Sequence, residues 1–193
     1  MRLLFSICLV KNLISILCLG IVIQNPCFSE NKQKMDALKK ALPFEKEDTS
    51  KLNIYIKLLQ ECDQENNHYY GNLLIDFVDK KLFLQTDDNI KKKFTAARIN
   101  ALLAVNSAFD RKKDSIPHFT YLSKKQQYYL SKKDIQGYVH VTKILANEFS
   151  AAGDILKSVQ QCKAGLIVLK KYHFKRGEGM LFDGLTKNFL IIG

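Results

Sequence analysis

The sequence is poor in proline and glycine, the residues that dominate flexible linkers. Its 193 residues include three prolines and nine glycines, too few for a low-complexity chain. Hydrophobic residues make up 47% and charged residues 25% of the chain, which is the composition of an ordinary globular protein. A chain of this length can form one domain with a sizeable core.

The sequence also lacks the spacings that catalytic and metal sites need. No cysteine–histidine pattern for zinc is present, and the histidines show neither metal-ligand nor catalytic-triad spacing. The four histidines are His68, His118, His140 and His173. No glycine-rich phosphate loop occurs, because Gly177 and Gly179 precede a predicted helix with no strand before them. These absences predict a protein that is not an enzyme and that uses no cofactor or metal.

Acidic residues are missing from the first 29 positions, although the whole chain contains nineteen. Arg2 is followed by two apolar runs, then by a proline and small residues up to Ser29. This pattern predicts a signal peptide over residues 1–29, with cleavage after Ser29. The alternative is an uncleaved membrane anchor, but it would bury Lys11 in lipid, since the longer run alone is shorter than the roughly twenty residues of a membrane span.

Cysteine is scarce beyond this segment. Three of the five cysteines lie within the first 29 residues, where Cys18 or Cys27 would attach the lipid if the protein were a lipoprotein, a weaker alternative. Cys62 and Cys162 are a hundred residues apart on different predicted helices, so we interpret both as buried small hydrophobic residues. The chain is predicted to be exported across the cytoplasmic membrane and to be periplasmic or membrane-associated.

Basic residues outnumber acidic ones by 30 to 19, and the formal net charge is +11. Such an excess can indicate a nucleic-acid partner. However, the basic residues are mostly lysines in scattered pairs, such as Lys124-Lys125 and Lys170-Lys171, near helix ends or on polar faces, where lysine is ordinarily solvated. With an export signal in front of them, the sequence predicts no nucleic-acid partner.

From residue 49 onward, apolar residues recur at the spacing of amphipathic helices. The first such stripe consists of Leu52, Tyr55, Ile56 and Leu59. Six further helices follow, separated by short polar turns, and no strand is predicted. Side chains that can cap helices stand at Thr86, Asp87, Asp88 and Asn89, and at Asp114 or Ser115. Residues 30–48 are interpreted as a polar linker or N-terminal cap, with a short helix over residues 35–42 that ends before Pro43.

Large and small residues recur at an interval of forty in the second half of the chain. Aligning residues 98–137, 138–177 and 178–193 gives the order large, large, small, large on the first helix of each segment. The aligned sets are Leu102, Thr142 and Phe182; Val105, Leu145 and Leu185; Asn106, Ala146 and Thr186; and Phe109, Phe149 and Phe189. Such a period predicts stacked helix pairs, in which each pair covers the apolar face of its neighbour.

This pattern resembles the tetratricopeptide repeat family, in a variant with a period near forty residues, over about residues 49–193. The sharpest matches are Leu145, Ala146, Phe149, Gly153, Asp154, Leu185, Phe189 and Gly193. The sequence departs from the family at Lys113, where a turn glycine is expected, and at His118, where alanine is usual. The resemblance implies an all-α fold of about three and a half antiparallel helix pairs stacked as an α-solenoid, preceded by the signal peptide. A helical solenoid of another family is the alternative.

The last predicted helix has no partner helix after it. Gly193 stands at the turn glycine, so an apolar face would be partly bare. That face consists of Leu181, Phe182, Leu185 and Phe189. Terminal repeats normally carry a polar face, so the expectation is a C-terminally incomplete chain or a helix that swaps onto a partner. Longer exported members of the family continue to a membrane helix and a signalling output, which would add membrane association through a C-terminal segment.

By the resemblance, function lies on the groove lined by the first helix of each pair. The groove-facing positions are Asn100, Leu103, Ser107, His140, Lys143, Asn147, Ser150, Asp183 and Lys187. Asn147 is the main candidate, because an amide can bond both the N–H and the C=O of an extended peptide. The resemblance implies a non-catalytic scaffold for a protein or peptide, serving as the extracytoplasmic sensing region of a membrane-bound signalling or transcription regulator. The alternative is a structural scaffold of the cell envelope without a groove ligand.

Overall fold

The computed structural model describes residues 26–109 and 115–192 of the chain. These two ranges form eight α-helices and contain no strand, so the all-α prediction is confirmed. In chain order the helices are α1 (Pro26–Ala41), α2 (Asp48–Glu61), α3 (Asn67–Lys81), α4 (Asp88–Ala108), α5 (Ser115–Ser131), α6 (Ile135–Ala151), α7 (Ile155–Lys171) and α8 (Glu178–Ile192). Single 3₁₀ turns precede α3, follow α3 and precede α8.

The helices divide into two compact units between Cys62 and Asp63. The first unit contains α1 and α2, which contact each other. The helix predicted over residues 35–42 corresponds to the end of α1, which the structure describes from Pro26 to Ala41. Most of the predicted signal peptide lies outside the described residues, so its cleavage and the boundary at residue 49 stay predictions. No helix in the described ranges is both long and apolar enough to span a membrane.

Aspartates begin three helices of the second unit, of which the sequence analysis predicted the cap at Asp87. Asp87, Asp134 and Asp154 precede α4, α6 and α7, and each accepts a hydrogen bond from the N–H three residues later, at 3.0, 2.9 and 3.1 Å. A carboxylate at this position satisfies an otherwise unpaired N–H and faces the positive end of the helix dipole. At α5, Pro117 stands in the first turn as predicted, while the predicted cap Asp114 lies outside the described residues.

Helices α5, α6 and α7 each contain seventeen residues and end in the same turn. Lys133, Gly153 and His173 follow them with φ angles of 56°, 82° and 52°. In each turn, this residue and the next one donate hydrogen bonds back to the last helical turn, at 2.9 to 3.2 Å. This pattern satisfies carbonyls that the helix end leaves unpaired. The three turns are twenty residues apart, which is half of the predicted period, and the sequence predicted a glycine turn only at Gly153.

Helix α6 lies at the centre of the second unit. It contacts α5 and α7, which are its neighbours in sequence, and also α4 and α8. Helix α3 packs on α4, and α7 packs on α8. Three alternate helices, α4, α6 and α8, are therefore neighbours in space and form one surface together.

Residues forty positions apart have similar environments in α4 to α7. Leu102 and Thr142 are completely buried, and Val105 and Leu145 are buried as well. The same holds for Leu122 of α5 and its counterpart of α7, Cys162. Cys162 forms no disulfide with any residue that the structure describes. Cys162 is buried as predicted, whereas Cys62 is only half-buried.

The third member of each aligned set, on α8, behaves differently. Phe182 and Phe189 are 54% and 55% exposed, so the bare face predicted for this helix is present in part. Leu185 is half-buried, and Leu181 corrects the prediction because it is completely buried. It lies so close to Gly165 that a Cβ built on that glycine would stand 2.6 Å from the Leu181 Cδ1 atom. A glycine on α7 therefore allows α8 to approach closely.

A buried polar junction links α4, α5 and α6. Asn106 donates through Nδ2 to Oε1 of Glu148 at 2.9 Å, and its Oδ1 lies 2.5 Å from Nε2 of His118. All three side chains are at most 8% exposed. Because a buried polar group without a partner is destabilising, the three groups depend on one another. His118, which departs from the alanine expected by the repeat pattern, is thus part of this junction.

A second junction follows at the same interval. Ser158 donates through Oγ to the carbonyl of Ala146 at 2.6 Å and accepts from Nδ2 of Asn188 at 2.7 Å. These positions stand forty residues after His118, Asn106 and Glu148, respectively. The second junction joins α6, α7 and α8 in the way the first joins α4, α5 and α6, so the sequence interval has a counterpart in three-dimensional contacts.

A buried ionic cluster joins α3, α4 and the start of α6. The side chain of Arg98 is 1% exposed and donates through Nη1 to Oδ1 of Asp79 at 3.2 Å and to Oδ2 of Asp134. Its guanidinium carbon lies 4.8 Å from the ring centroid of Tyr129. Since Asp134 is also the cap of α6, the cluster holds the beginning of α6 against α4. Nothing in the sequence pattern predicted this cluster.

Candidate functional site

The nine predicted groove residues lie on α4, α6 and α8, the three alternate helices that are neighbours in space. Six of them are exposed: Asn100, Leu103, Ser107, Asn147, Asp183 and Lys187. Three are half-buried: His140, Lys143 and Ser150. We call this surface the α4–α6–α8 face. The role of these residues in binding stays a prediction.

One cross-helix contact on the face joins two predicted residues that are forty positions apart. Lys143 of α6 donates through Nζ to Oδ2 of Asp183 on α8 at 2.9 Å, and Lys187 reaches the same oxygen at 3.0 Å. Hydrogen bonds from Lys143 and then Lys187 lower the pKa of Asp183, so this carboxylate stays charged. A Cβ at Gly184 would stand 2.9 Å from the Cys162 Sγ atom and 3.2 Å from the Lys143 Nζ atom, so this glycine leaves room for both side chains.

The two amides of the face are its available hydrogen-bonding groups. Asn100 and Asn147 are exposed, and their side chains make no hydrogen bond within the described ranges. By contrast, the hydroxyl of Ser107 already donates to the carbonyl of Ala104 at 2.8 Å. Ser150 stands in the last turn of α6, where its carbonyl accepts from the N–H of the turn glycine. An exposed asparagine offers both a donor and an acceptor to a bound main chain.

His140 differs from the other residues of the face, because it lies close to the buried ionic cluster. Burial lowers the pKa of this imidazole, and the positive charge of Arg98 lowers it further. His140 is therefore neutral at neutral pH. It can donate one hydrogen bond and accept another, but it brings no positive charge to the face.

A cleft of about 460 Å³ opens at the N-terminal end of the face. It is lined by Asp88, Lys91, Lys92, Thr95, Ala96, Ile99, Gln136 and Arg176. Three of these, Ala96, Gln136 and Arg176, are separated by forty residues each and come from α4, α6 and the turn before α8. Its volume lies in the range of small-ligand and side-chain pockets.

The cleft was not predicted, although the sequence contains a signal for it. Ala96 and Gln136 stand four residues before Asn100 and His140, one helical turn earlier on the same stripe. Extending the predicted positions by one turn toward the helix N-termini leads to Ala96 and Gln136, and Arg176 stands forty residues after Gln136, in the turn before α8. The charge of the cleft could not be read in this way, because Lys91 and Lys92 lie beside the stripe.

The positive charges of the cleft are only partly balanced. Lys91 pairs with Asp88, at 3.7 Å between Nζ and Oδ1. Lys92 and Arg176 are exposed and form no ion pair with any residue that the structure describes. The floor is less polar, since Thr95 is buried and Ile99 is half-buried. The arrangement suits a group that carries negative charge on a partly apolar body.

The face as a whole collects hydrogen-bonding and cationic groups around one exposed leucine. Leu103 is 49% exposed and stands one helical turn after Ile99 of the cleft. Within residues 26–109 and 115–192, no group of three His, Cys, Asp or Glu side chains is placed to hold a metal ion. The arrangement can hold a ligand by amide hydrogen bonds, salt bridges and apolar contact. No protein-family model, no curated protein and no solved structure matches the chain.

Proposed function

We propose that the chain is an exported, non-catalytic scaffold that binds a protein segment or peptide on its α4–α6–α8 face. In this proposal the helices form antiparallel pairs stacked as a tetratricopeptide-like α-solenoid. The observation that carries it is the cleft lined by Ala96, Gln136 and Arg176, which stand at one register in three successive segments. Equivalent positions that meet at one surface are what a stacked repeat array offers to a partner.

The contacts that hold the three helices together support this function. The junctions at Asn106 and Ser158, the ionic cluster at Arg98 and the Lys143–Asp183 pair all tie neighbouring helices together. A surface that is ordered before binding loses less conformational entropy when a ligand arrives. The face is therefore suited to binding a flexible segment.

The chemistry of the face suits a main chain. Asn100 and Asn147 offer amide groups that match the N–H and C=O of an extended peptide, and Leu103 offers an apolar contact for a side chain. The groups gathered here are those of recognition, so the proposed role is binding without chemistry on the ligand.

The binding proposal is tested by selecting peptides from a displayed library of random dodecapeptides on the purified chain. The face variant is Leu103→Arg with Asn147→Arg. Its matched control is Gln160→Arg with Ala164→Arg, two exposed residues of α7 that lie outside the face. Selected peptides should bind the wild type and the control equally and the face variant about tenfold more weakly, since contacts of this kind are worth on the order of 1.4 kcal/mol. No enrichment, or equal binding to all three proteins, would overturn the proposal.

Export rests on the pattern of residues 1–29 and is tested separately. The full chain, expressed in a Gram-negative bacterium, should be recovered from the periplasm with a new N-terminus at Glu30. Recovery of the intact chain from the cytoplasm would contradict the signal peptide. Export would agree with the sensing region of a membrane-bound signalling or transcription regulator.

A structural role in the cell envelope is the second candidate, and the end of α8 favours it. Phe182, Phe189, Leu190 and Ile191 are each more than half exposed, and exposed apolar clusters often mark protein contacts. This candidate predicts self-association that Phe189→Ser with Leu190→Ser abolishes, measured by light scattering during size-exclusion chromatography. A monomer at all concentrations, together with peptide binding on the face, would favour the first proposal.

A further inference from the structure

The unbalanced charge of the cleft identifies the kind of ligand that suits it. Lys92 and Arg176 approach the cleft from α4 and from the turn before α8, and neither has a carboxylate partner among the described residues. The one acidic lining residue, Asp88, already pairs with Lys91. Two cations from separate elements therefore converge on one space that contains no spare negative charge.

The rest of the face has the same sign. Asp183 is its only carboxylate among the predicted positions, and two lysines, Lys143 and Lys187, share it. The named face and the cleft together contain five basic side chains and two acidic ones. Because His140 is kept neutral by burial, this positive field does not depend on histidine protonation near neutral pH.

We infer that the partner is an acidic peptide segment, with an aspartate or glutamate side chain in the cleft between Lys92 and Arg176. Its main chain continues over Asn100 and Asn147. This inference rests on the proposed function and specifies its ligand. A guanidinium and an ammonium around one carboxylate form charge-assisted hydrogen bonds, which are stronger than neutral ones. The partly apolar floor at Ile99 accommodates the methylene groups of the acidic side chain.

The geometry sets a length for this segment. Ala96, in the cleft, and Ser107, at the far end of the face, are eleven residues apart on α4, which corresponds to about 16 Å at roughly 1.5 Å per residue. An extended peptide advances about 3.3 Å per residue, so about five residues cover the face beyond the acidic one. Asn147 stands forty residues after Ser107 and eleven after Gln136 of the cleft, so a segment of about six residues also reaches from the cleft to its amide.

The same charges could attract a nucleic acid, but the lining does not favour one. Proteins that bind single strands stack bases on aromatic rings between their basic groups. None of the cleft residues or the nine face residues is phenylalanine, tyrosine or tryptophan. Asparagine, glutamine and leucine match a peptide main chain and its side chains instead.

The experiment compares the composition of dodecapeptides selected on three forms of the full chain. The cleft variant is Lys92→Glu with Arg176→Glu. The matched control is Lys163→Glu with Lys170→Glu, which changes the net charge equally on the exposed outer side of α7. On the wild type and the control, aspartate and glutamate should be enriched at one position about fivefold or more. On the cleft variant this enrichment should disappear, because the reversed charges repel a carboxylate.

One enriched peptide then serves as a labelled probe in fluorescence anisotropy. Replacing its acidic residue by the matching amide should weaken binding about tenfold for the wild type and leave binding to the cleft variant unchanged. Peptides that depend on Leu103 and Asn147 but show no acidic preference would overturn this inference while the proposed function stands. If no peptide is selected, both fail. Displacement of the probe by an oligothymidine of equal charge, as effectively as by the unlabelled peptide, would identify a nucleic-acid surface instead.

Discussion

The corner between α5 and α6 and the corner between α7 and α8 share a backbone and differ in chemistry. Each contains a residue of left-handed φ, Lys133 in the first and His173 in the second, with the same two hydrogen bonds back to the preceding helix. In the first corner the next residue is Asp134, which caps α6 and pairs with Arg98. In the second it is Phe174, and a 3₁₀ turn leads into α8.

The buried residues next to the two corners also differ in chemistry. The position of Tyr129 is taken forty residues later by Leu169, and that of Arg98 is taken by Tyr138, all of them buried. The same turn therefore forms with and without a buried ionic cluster. The turn depends on helix length and local hydrogen bonds, whereas the cluster adds a connection to α3 through Asp79.

The largest expected difference between the corners concerns the charge at Arg98. Arg98→Met leaves the carboxylates of Asp79 and Asp134 buried without their counter-ion, and we expect a loss of about 3–5 kcal/mol in the free energy of unfolding. Tyr138→Phe, at the equivalent position, removes only a hydroxyl and should lose about 1 kcal/mol or less. Urea denaturation followed by circular dichroism measures both. Equal losses would mean that the two corners are energetically alike.

A smaller difference is expected at the paired glycines. A Cβ at Gly137 would stand 2.8 Å from the Asp134 Oδ2 atom and 2.9 Å from the ring of Tyr129, so Gly137→Ala must displace both the cap and the ring. We expect it to lower stability by about 1–3 kcal/mol. At Gly177 the nearest atom is a methyl of Val139, at 2.7 Å, and Gly177→Ala should lose less because one side chain can shift alone. Thermal unfolding compares the two, and a larger loss at Gly177 would contradict this.

Exchanging glycine and non-glycine residues at the left-handed positions of the three turns should change the free energy of unfolding by about 1 kcal/mol, the usual penalty for a side chain in the left-handed region. Gly153→Ala introduces that penalty with no steric contact, since nothing lies within 4 Å of the added Cβ. Lys133→Gly and His173→Gly remove it, offset in part by the greater flexibility of glycine in the unfolded chain. The first variant should be less stable and the other two slightly more stable than the wild type. Chemical denaturation tests this, and a more stable Gly153→Ala would refute the conformational argument.

Asp79 and Asp154 should make the stability of the protein depend on pH in opposite directions. Burial raises the pKa of Asp79 above its ordinary value of 3.8, and the charge of Arg98 opposes this only in part. The folded protein therefore holds this proton more tightly than the unfolded chain, so the contribution of Asp79 to stability is lost as pH rises through the window between the two pKa values. The free energy of unfolding of Asp79→Asn, relative to that of the wild type, should therefore increase as pH rises above 3.8.

The control for this prediction has the opposite sign. Hydrogen bonds with Lys157 lower the pKa of Asp154, so its contribution to stability is present at higher pH and is lost as pH falls through the folded pKa. The free energy of unfolding of Asp154→Asn, relative to that of the wild type, should therefore decrease as pH increases. Urea denaturation at a series of pH values measures both slopes. Parallel slopes for the two variants would contradict the assignment of Asp79.

Local features of the fold were predictable where one short segment contains the whole cause. The cap at Asp87 was predicted because its side chain bonds to an N–H only three residues away, and Asp134 and Asp154 cap α6 and α7 in the same way. Polar turns before α6 and α8 were predicted, but the left-handed φ angles of Lys133 and His173 were not, because neither residue is glycine. Leu181 was wrongly predicted to be exposed, because its burial depends on Gly165 of another helix, which the local sequence does not reveal.

The repeated positions of the candidate site could be predicted from the sequence, whereas the charge of its cleft could not. The positions of Leu103, Lys143 and Asp183 follow from the forty-residue interval, and the structure brings the last two within 2.9 Å. The convergence of Lys92 and Arg176 on one cleft does not follow from that interval, because the two residues stand at different registers on elements far apart in the chain.

The amino-acid sequence by itself determined where the helices begin and end and which side of each is apolar, because capping, turn formation and amphipathic spacing act within a few residues. Only the tertiary structure decided which helices are neighbours, that Arg98 is buried between two aspartates, and that an unbalanced positive charge faces a cleft. These outcomes depend on contacts between residues dozens of positions apart, and a charge is costly or useful according to how much water remains around it.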